Sequence, residues 1–206
     1  MLTPFCFFLM AVNLSYPLIL ASSSARRRSL LAEWGYAFDV VSPPLPEPPA
    51  PGSEALSPAA WAEALSYFKA YAVAQTYPEV IVVGADTVVV HGDEVIGKPK
   101  DQADARRILT TQFAGLNEVI TGVAVLYPPE RRRIITHVVT TIMMRAMTEA
   151  ELEAYMAGGA WEGKAGAYAL QEGGDKFVLS MDGSESNVVG LPMEKLEEIF
   201  IRITKP

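Results

Sequence analysis

The chain has 206 residues, half of them apolar and a fifth charged, with a formal net charge of −7 at pH 7. A chain of this length buries roughly 70% of the surface it exposes when unfolded, so one domain can be stable without disulfides or a structural metal. The acidic balance speaks against a nucleic-acid polymer or an anionic membrane as partner, because both need a cationic face. Cys6 is the only cysteine, and His91 and His137 are the only histidines. Neither a disulfide framework nor a zinc-ligand spacing can be written, and a reducing, cytoplasmic setting fits.

Phe5 to Val12 is an apolar run as long as a secretory signal core, but no basic residue precedes it. It is also too short for a membrane span, which takes about 20 apolar residues. Residues 1–16 therefore read as a peripheral extension and 17–206 as one domain. Tyr16 to Ala21 (YPLILA) is predicted to be a short buried strand. Ser22, Ser23 and Ser24 follow it, placed to cap a helix over Ala25–Trp34 that Gly35 ends. Phe38–Val41 reads as a second strand, and the prolines between 43 and 51 as a loop. Ser57 and Pro58 open a helix in which Trp61, Leu65, Phe68 and Ala72 are predicted to form the buried stripe, with Lys69 one residue off it.

Val80 to Val90 (VIVVGADTVVV) reads as a central strand buried on both faces. Gly92 and Asp93 turn it into a hairpin arm at Glu94–Ile96. Asp101 caps a helix over Gln102–Phe113, and Val119–Tyr127 with Arg133–Met147 makes a long hairpin around Pro128 and Pro129. Thr148 and Glu151 form a capping box for a helix that ends at Gly158 and Gly159. In the glycine-dense stretch from Ala160 to Gly174, Lys164, Tyr168 and Gln171 are expected to be exposed. A strand at Lys176–Met181, a turn at Gly183–Ser186 and a helix over Met193–Thr204 complete an α/β fold around a mixed sheet with flanking helices.

Three constellations could carry chemistry. Ser22-Ser23-Ser24-Ala25-Arg26-Arg27-Arg28 gathers hydroxyls, free N–H groups and guanidinium groups at a helix start. Cations are disfavoured there by the helix dipole, and a bound phosphate would relieve the conflict. The plainer reading is a serine-capped helix with solvated arginines. Asp86, beside Thr87, places a carboxylate in an apolar strand, where it needs a metal, a lysine, a catalytic water or a neighbouring turn as partner. Lys98 in Gly97-Lys98-Pro99-Lys100 is the lysine that could face it across the base of the hairpin. The run from Lys164 to Gln171 has small residues that allow close backbone approach or simply tight packing. Composition alone reads Glu47 and Lys69 as solvent-exposed. It reads His91 as a hairpin residue, His137 as a strand residue facing solvent or a neighbour, and Trp161 as a packing residue.

Six ordered motifs stand in the chain: LASSSARRRSLL at 20–31, GADTVV at 84–89, GKPKD at 97–101, TGVAV at 121–125, GKAGAYALQ at 163–171 and GSESNVVGLP at 183–192. With them, the chain from about Leu18 to its C-terminus resembles the Maf family of nucleoside triphosphate pyrophosphatases. The resemblance implies a two-lobed inosine triphosphate pyrophosphatase-like fold with a central cleft, a divalent metal (Mg²⁺ or Mn²⁺) as cofactor, and homodimers among its members. The family's phosphate-binding positions fall on Ser22, Arg26 and Arg27, with Ser24 beside them. Its catalytic residues fall on Asp86, Lys98 and Lys69, and its metal-binding acids on Asp86 and Glu47.

Base preference in the family is set partly at positions matching Arg26, Thr87 and Gln171. These residue types resemble the dTTP and UTP subgroup; the 7-methyl-GTP subgroup tends to carry Gln after the aspartate and Glu at the last position. The implied reaction is attack of water on the α-phosphate of a nucleoside triphosphate, releasing pyrophosphate and a monophosphate. It suits a house-cleaning enzyme acting on dTTP, UTP and modified pyrimidine triphosphates. The alternative is a nucleotide-binding regulator of cell division with little turnover. Asn117 stands where many members carry a histidine, and the proline-rich loop is unusual enough to move Glu47 away from the metal.

Overall fold

The computed structural model describes residues 11–44, 56–92, 94–130, 132–168 and 175–205. In chain order these form β1 (Leu18–Leu20), α1 (Ala25–Glu33), β2 (Asp39–Val40), α2 (Pro58–Ala74), β3 (Ile81–His91), β4 (Glu94–Ile96), α3 (Gln102–Gln112), β5 (Leu116–Tyr127), β6 (Arg132–Met144), α4 (Glu149–Ala157), β7 (Val178–Asp182), α5 (Glu185–Val189) and α6 (Met193–Thr204). Short 3₁₀ turns stand at Ala165–Ala167 and Asp175–Phe177. The strands make one seven-stranded sheet in the order β2-β1-β3-β5-β6-β7, with β4 paired to the far end of β3. β2 and β3 run parallel to β1, and every other pair is antiparallel. This is the mixed α/β sheet that the sequence predicts. The second hairpin arm stops at Met144 instead of Met147, just past an irregularity between Met143 and Met144 in its pairing with β7, and one last bond, Arg145 N to Phe177 O (2.9 Å), follows it. The expected turn at Gly183–Ser186 runs on into α5, a helix absent from the sequence reading. Ser184 caps it by accepting from Asn187 N at 3.1 Å.

Side chains along β3 alternate between the two faces of the sheet. Even-numbered Val82, Gly84, Asp86, Val88 and Val90 face α2. Odd-numbered Ile81, Val83, Ala85 and Val89 face α6, α5 and α3. The predicted buried stripe of α2 is corrected by one residue. The buried side consists of Ala62, Leu65, Ser66, Lys69, Ala70, Val73 and Ala74, while Trp61, Phe68 and Ala72 are half-buried. The cause lies on the sheet. A Cβ at Gly84 would stand 2.2 Å from Ser66 O and 2.8 Å from Ala70 N, and one at Gly122 would stand 2.2 Å from Ala62 O. Helix and sheet meet there backbone to backbone, which small residues alone permit, so side-chain size selects the face of α2. Lys69 thereby comes to the inner side.

On the odd-numbered face the apolar residues form two clusters. One gathers Leu31, Val83, Val125, Leu196 and Phe200; the other gathers Leu109, Phe113, Val119, Met144, Tyr155 and Phe177. They are the cores of two lobes sharing the long strands β3 and β5. Ala11, Val12, Leu14 and Tyr16 pack on the first cluster, and Val12 N donates to the Tyr36 hydroxyl at 3.4 Å. The described part of the expected extension thus lies against the core, with Ala11, Val12, Leu14 and Tyr16 half-buried and Asn13 and Ser15 exposed. Tyr168, expected to be exposed, is buried edge-on to Phe113 with ring centroids 5.9 Å apart, and Lys164 is half-buried with Nζ donating to Ala160 O (2.7 Å). Left-handed Gly166 and Ala167 turn the chain inward there, and Gln112 Nε2 holds Gly166 O at 2.8 Å. Among the described residues, no helix is long and apolar enough to cross a membrane.

Candidate active site

β3 is paired with β5 without interruption from Val82 to His91. Its other edge is divided: β1 pairs with Ile81–Val83 and β4 with Val89–His91, so no described strand runs beside Gly84–Val88. Ile81 N donates to Pro17 O and Ala21 N to Val83 O, both at 2.8 Å. Odd-numbered residues therefore turn their peptide groups toward this edge, and Ala85 and Thr87 turn theirs into the gap. Ser22 stands past β1 on one side of the gap, and Gly97 and Lys98 stand past β4 on the other.

Asp86 occupies the middle of the gap. On the α2 face, Lys69 Nζ donates to Asp86 Oδ1 at 2.6 Å, with the two side chains only 9% and 11% exposed. The partner that a carboxylate in an apolar strand requires is therefore a lysine, but not the one expected from spacing. Lys98 is exposed and makes no ion pair with Asp86. Lys69, which composition assigns to solvent, is buried, because the glycine contacts of α2 bring its side of the helix inward. Breaking such a pair by removing one partner costs about 3–5 kcal/mol, which is the physical reason for the two residues to occur together.

The opposite face carries Arg27. Its Nε donates to Gly190 O (2.7 Å), Nη1 to Ser22 Oγ (3.3 Å) and Nη2 to Thr87 Oγ1 (3.1 Å). Ser22 is buried and also accepts from Ser24 N at 3.2 Å; Ser24 Oγ caps α1 by accepting from Arg27 N at 3.5 Å. The dipole conflict at the start of α1 is eased inside the protein. Arg27 reaches away to the carbonyl that ends α5, a position where cations are favoured. The arginines do not converge: Arg26 is half-buried with no hydrogen bond to a described residue, and Arg28 is exposed. Thr87 Oγ1 also meets Thr121 Oγ1 at 2.9 Å, and Thr121 Oγ1 donates to Asn187 O at 3.0 Å. Asn187 Nδ2 is in turn bound to Val119 O and Thr140 Oγ1, both at 2.9 Å.

The structure thus brings the sequence candidates together in two groups, Lys69 with Asp86 on one face of β3 and Ser22, Ser24, Arg27 and Thr87 on the other. Both groups border the same gap. Glu47 and Gln171 lie outside the described residues. Thr121, Asn187 and Gly190 were missed as individual residues; the only signal was their place inside the TGVAV and GSESNVVGLP motifs. No group of three or more His, Cys, Asp or Glu side chains that could hold a metal ion occurs among the described residues. A single buried carboxylate is still a donor set that suits Mg²⁺, which usually keeps its waters and takes one or two carboxylates plus substrate oxygens.

The chain is 44% identical over 187 residues to a dTTP/UTP pyrophosphatase of Geobacter sulfurreducens, covering 90% of this chain and 96% of that protein. It is 42% identical to a protein of the same name in Vibrio cholerae, covering 89% and 96%, and 40% identical to one in Dictyoglomus thermophilum, covering 90% and 95%. The family model described as Maf-like protein matches residues 17–203, from the residue before β1 to the last turn of α6. The chain belongs to the Maf-like protein family.

Proposed function

We propose that this protein is a nucleoside triphosphate pyrophosphatase that hydrolyses dTTP and UTP to the monophosphate and pyrophosphate. The observation that carries the reading is the buried Lys69–Asp86 pair set in an open strand edge, with the Arg27 guanidinium on the other side of the same strand. The name shared by its relatives supplies the substrate class. A triphosphate lying across the open edge of β3 meets both groups.

Ser22, Ser24, Arg26 and Arg27, at the start of α1, hold phosphate oxygens, where free N–H groups and the planar guanidinium fork both favour an anion. Asp86 orients the attacking water and takes its proton as the new bond to the α-phosphorus forms and the bond to the pyrophosphate oxygen breaks. Lys69 fixes the Asp86 carboxylate, and Lys98, free in solvent, supplies a movable charge to the departing pyrophosphate. Arg26, Thr87 and Gln171 select the base. A divalent ion, Mg²⁺ or Mn²⁺, would be held by Asp86 with Glu47, and when bound it neutralises phosphate charge. The same chemistry extends to modified pyrimidine triphosphates in a cytoplasmic house-cleaning role.

The test is pyrophosphate release by the wild type and Asp86→Asn over dTTP, UTP, CTP and 7-methyl-GTP with Mg²⁺ or Mn²⁺. The expected result is a preference for dTTP and UTP, with a loss of about 10²–10⁴-fold in the variant, the usual worth of a positioned general base. A preference for 7-methyl-GTP overturns the substrate class. Nucleotide binding with no turnover overturns the enzyme and favours a regulator.

A further inference from the structure

Thr87 sits in a hydrogen-bonded chain whose two ends leave no freedom of direction. At one end is the Arg27 guanidinium, which has donors and no acceptor; at the other is the Asn187 main-chain carbonyl, which has lone pairs and no donor. Between them stand two hydroxyls, each with a single hydrogen. Thr121 is fully buried and spends its hydrogen on Asn187 O (3.0 Å), so the 2.9 Å contact between the two threonine oxygens must use the hydrogen of Thr87. Thr87 Oγ1 then accepts from Arg27 Nη2 (3.1 Å) with one lone pair and keeps the other. Thr87 itself is half-buried at the gap. Toward anything bound there, its hydroxyl can accept a hydrogen bond but cannot give one.

We infer that Thr121, which lies behind Thr87 and is itself fully buried, sets the base preference of the site by fixing this polarity. The inference rests on the proposed reading, in which Thr87 borders the base. Set against N3 of the base, a committed acceptor suits a pyrimidine whose N3 carries hydrogen, as in uracil and thymine. It opposes cytosine, whose N3 is a bare acceptor, because two lone pairs would face each other. An amide such as Gln171 presents a donor or an acceptor according to which way it turns, so an amide alone does not separate these bases. A hydroxyl with its hydrogen already committed does. Thr121 is thus a positioning residue for specificity, acting through Thr87.

The test compares kcat/KM for UTP and CTP in the wild type, Thr121→Val and Thr121→Ser, with Tm measured for each. Valine keeps the shape of threonine and removes the acceptor, leaving the Thr87 hydrogen able to swing toward the ligand. The expected result is a wild-type preference for UTP over CTP that falls at least tenfold in Thr121→Val, through better use of CTP, and stays within twofold of wild type in Thr121→Ser. A merely structural role would lower turnover of both nucleotides together and leave the ratio unchanged, which overturns the inference. Equal use of UTP and CTP by the wild type also overturns it. If Thr121→Val does not fold, Thr121→Cys carries the same test, since a thiol is a weak acceptor, and an unchanged ratio there is equally fatal. A wild type that turns over neither dTTP nor UTP overturns the pyrophosphatase reading, and the inference with it, and is told apart from the other outcomes by the wild-type assay alone.

Discussion

Asp86 and Thr87 are neighbours in β3, yet their hydrogen bonds run to opposite faces of the sheet: Asp86 to Lys69 on α2, Thr87 to Arg27 on α1 and Thr121 on β5. Their register partners on β5 follow the same division. Gly122 lies under α2, and Thr121 lies toward α5. One dipeptide therefore serves both halves of the site, and an insertion or deletion in β3 would exchange their faces.

Removing the lysine alone is expected to damage both stability and turnover. Lys69→Met leaves the Asp86 carboxylate buried without its partner, at a cost of about 3–5 kcal/mol. In a chain of this size that is a fall in Tm of roughly 6–20 °C. Combining Lys69→Met with Asp86→Leu should recover much of the Tm and none of the pyrophosphate release. Thermal unfolding and an activity assay on the single and double variants check this, and a single variant as stable as wild type would contradict it.

Lysine is not expected to replace Arg27. Three protein acceptors, Gly190 O, Ser22 Oγ and Thr87 Oγ1, are held by three different nitrogens of one planar group, which a single ammonium cannot reproduce. Hydrogen bonds to charged groups are worth about 1.5–3 kcal/mol each, so Arg27→Lys should raise KM for UTP at least tenfold. Steady-state kinetics decide the matter, and an unchanged KM would remove Arg27 from substrate binding.

The close approach of α2 to the sheet gives a sharp contrast between two glycines. Gly84→Ala drives a methyl group into Ser66 O and Ala70 N, backbone atoms that cannot swing aside, so the loss should lie at or above the top of the usual ~1–3 kcal/mol for overpacking. It should also spread Lys69 from Asp86 and reduce turnover. Gly97→Ala, where a Cβ meets nothing within 4 Å, should leave Tm unchanged. Equal melting temperatures for the two variants would disprove the backbone contact.

At the start of α4, the Arg145 guanidinium bonds both oxygens of Glu151 and, with the backbone N–H of Thr148, holds its carboxyl down at about 2. A carboxyl depressed in the folded state adds stability above its unfolded value near 4.5, and that contribution is lost as pH falls from there toward 2. Glu151→Gln keeps the capping geometry and removes the charge. The variant should therefore show a shallower decline of Tm between pH 4.5 and 2 than wild type; parallel curves would refute the linkage.

The parts of this molecule written in local pattern could be read from the sequence. The caps at Ser24, Ser57, Asp101 and Thr148 are single side chains acting within their own first turn, and each helix starts where they predict. The central strand and its hairpin partner follow from β-branched runs and Gly92. The face of α2 could not be read this way, because it depends on Gly84 and Gly122, which belong to other strands. For the same reason, Asp86 was matched with Lys98, close in sequence, instead of Lys69 on the facing helix. The Thr87–Thr121–Asn187 chain joins residues 34 and 66 positions apart, and no periodicity records that distance. The resemblance names Asp86, Lys69 and Arg27 but is silent on which of them touch.

The stretch of β3 left without a strand partner is also a hazard that the fold has contained. Unsatisfied strand edges invite pairing with other chains and, from there, aggregation. Here the exposed run, Gly84–Val88, is interior to its strand and closed at both ends by β1 and β4, so a foreign strand longer than that run has no room to dock in register. A small ligand needs no such length, and the same short closure that admits it keeps out the longer strand.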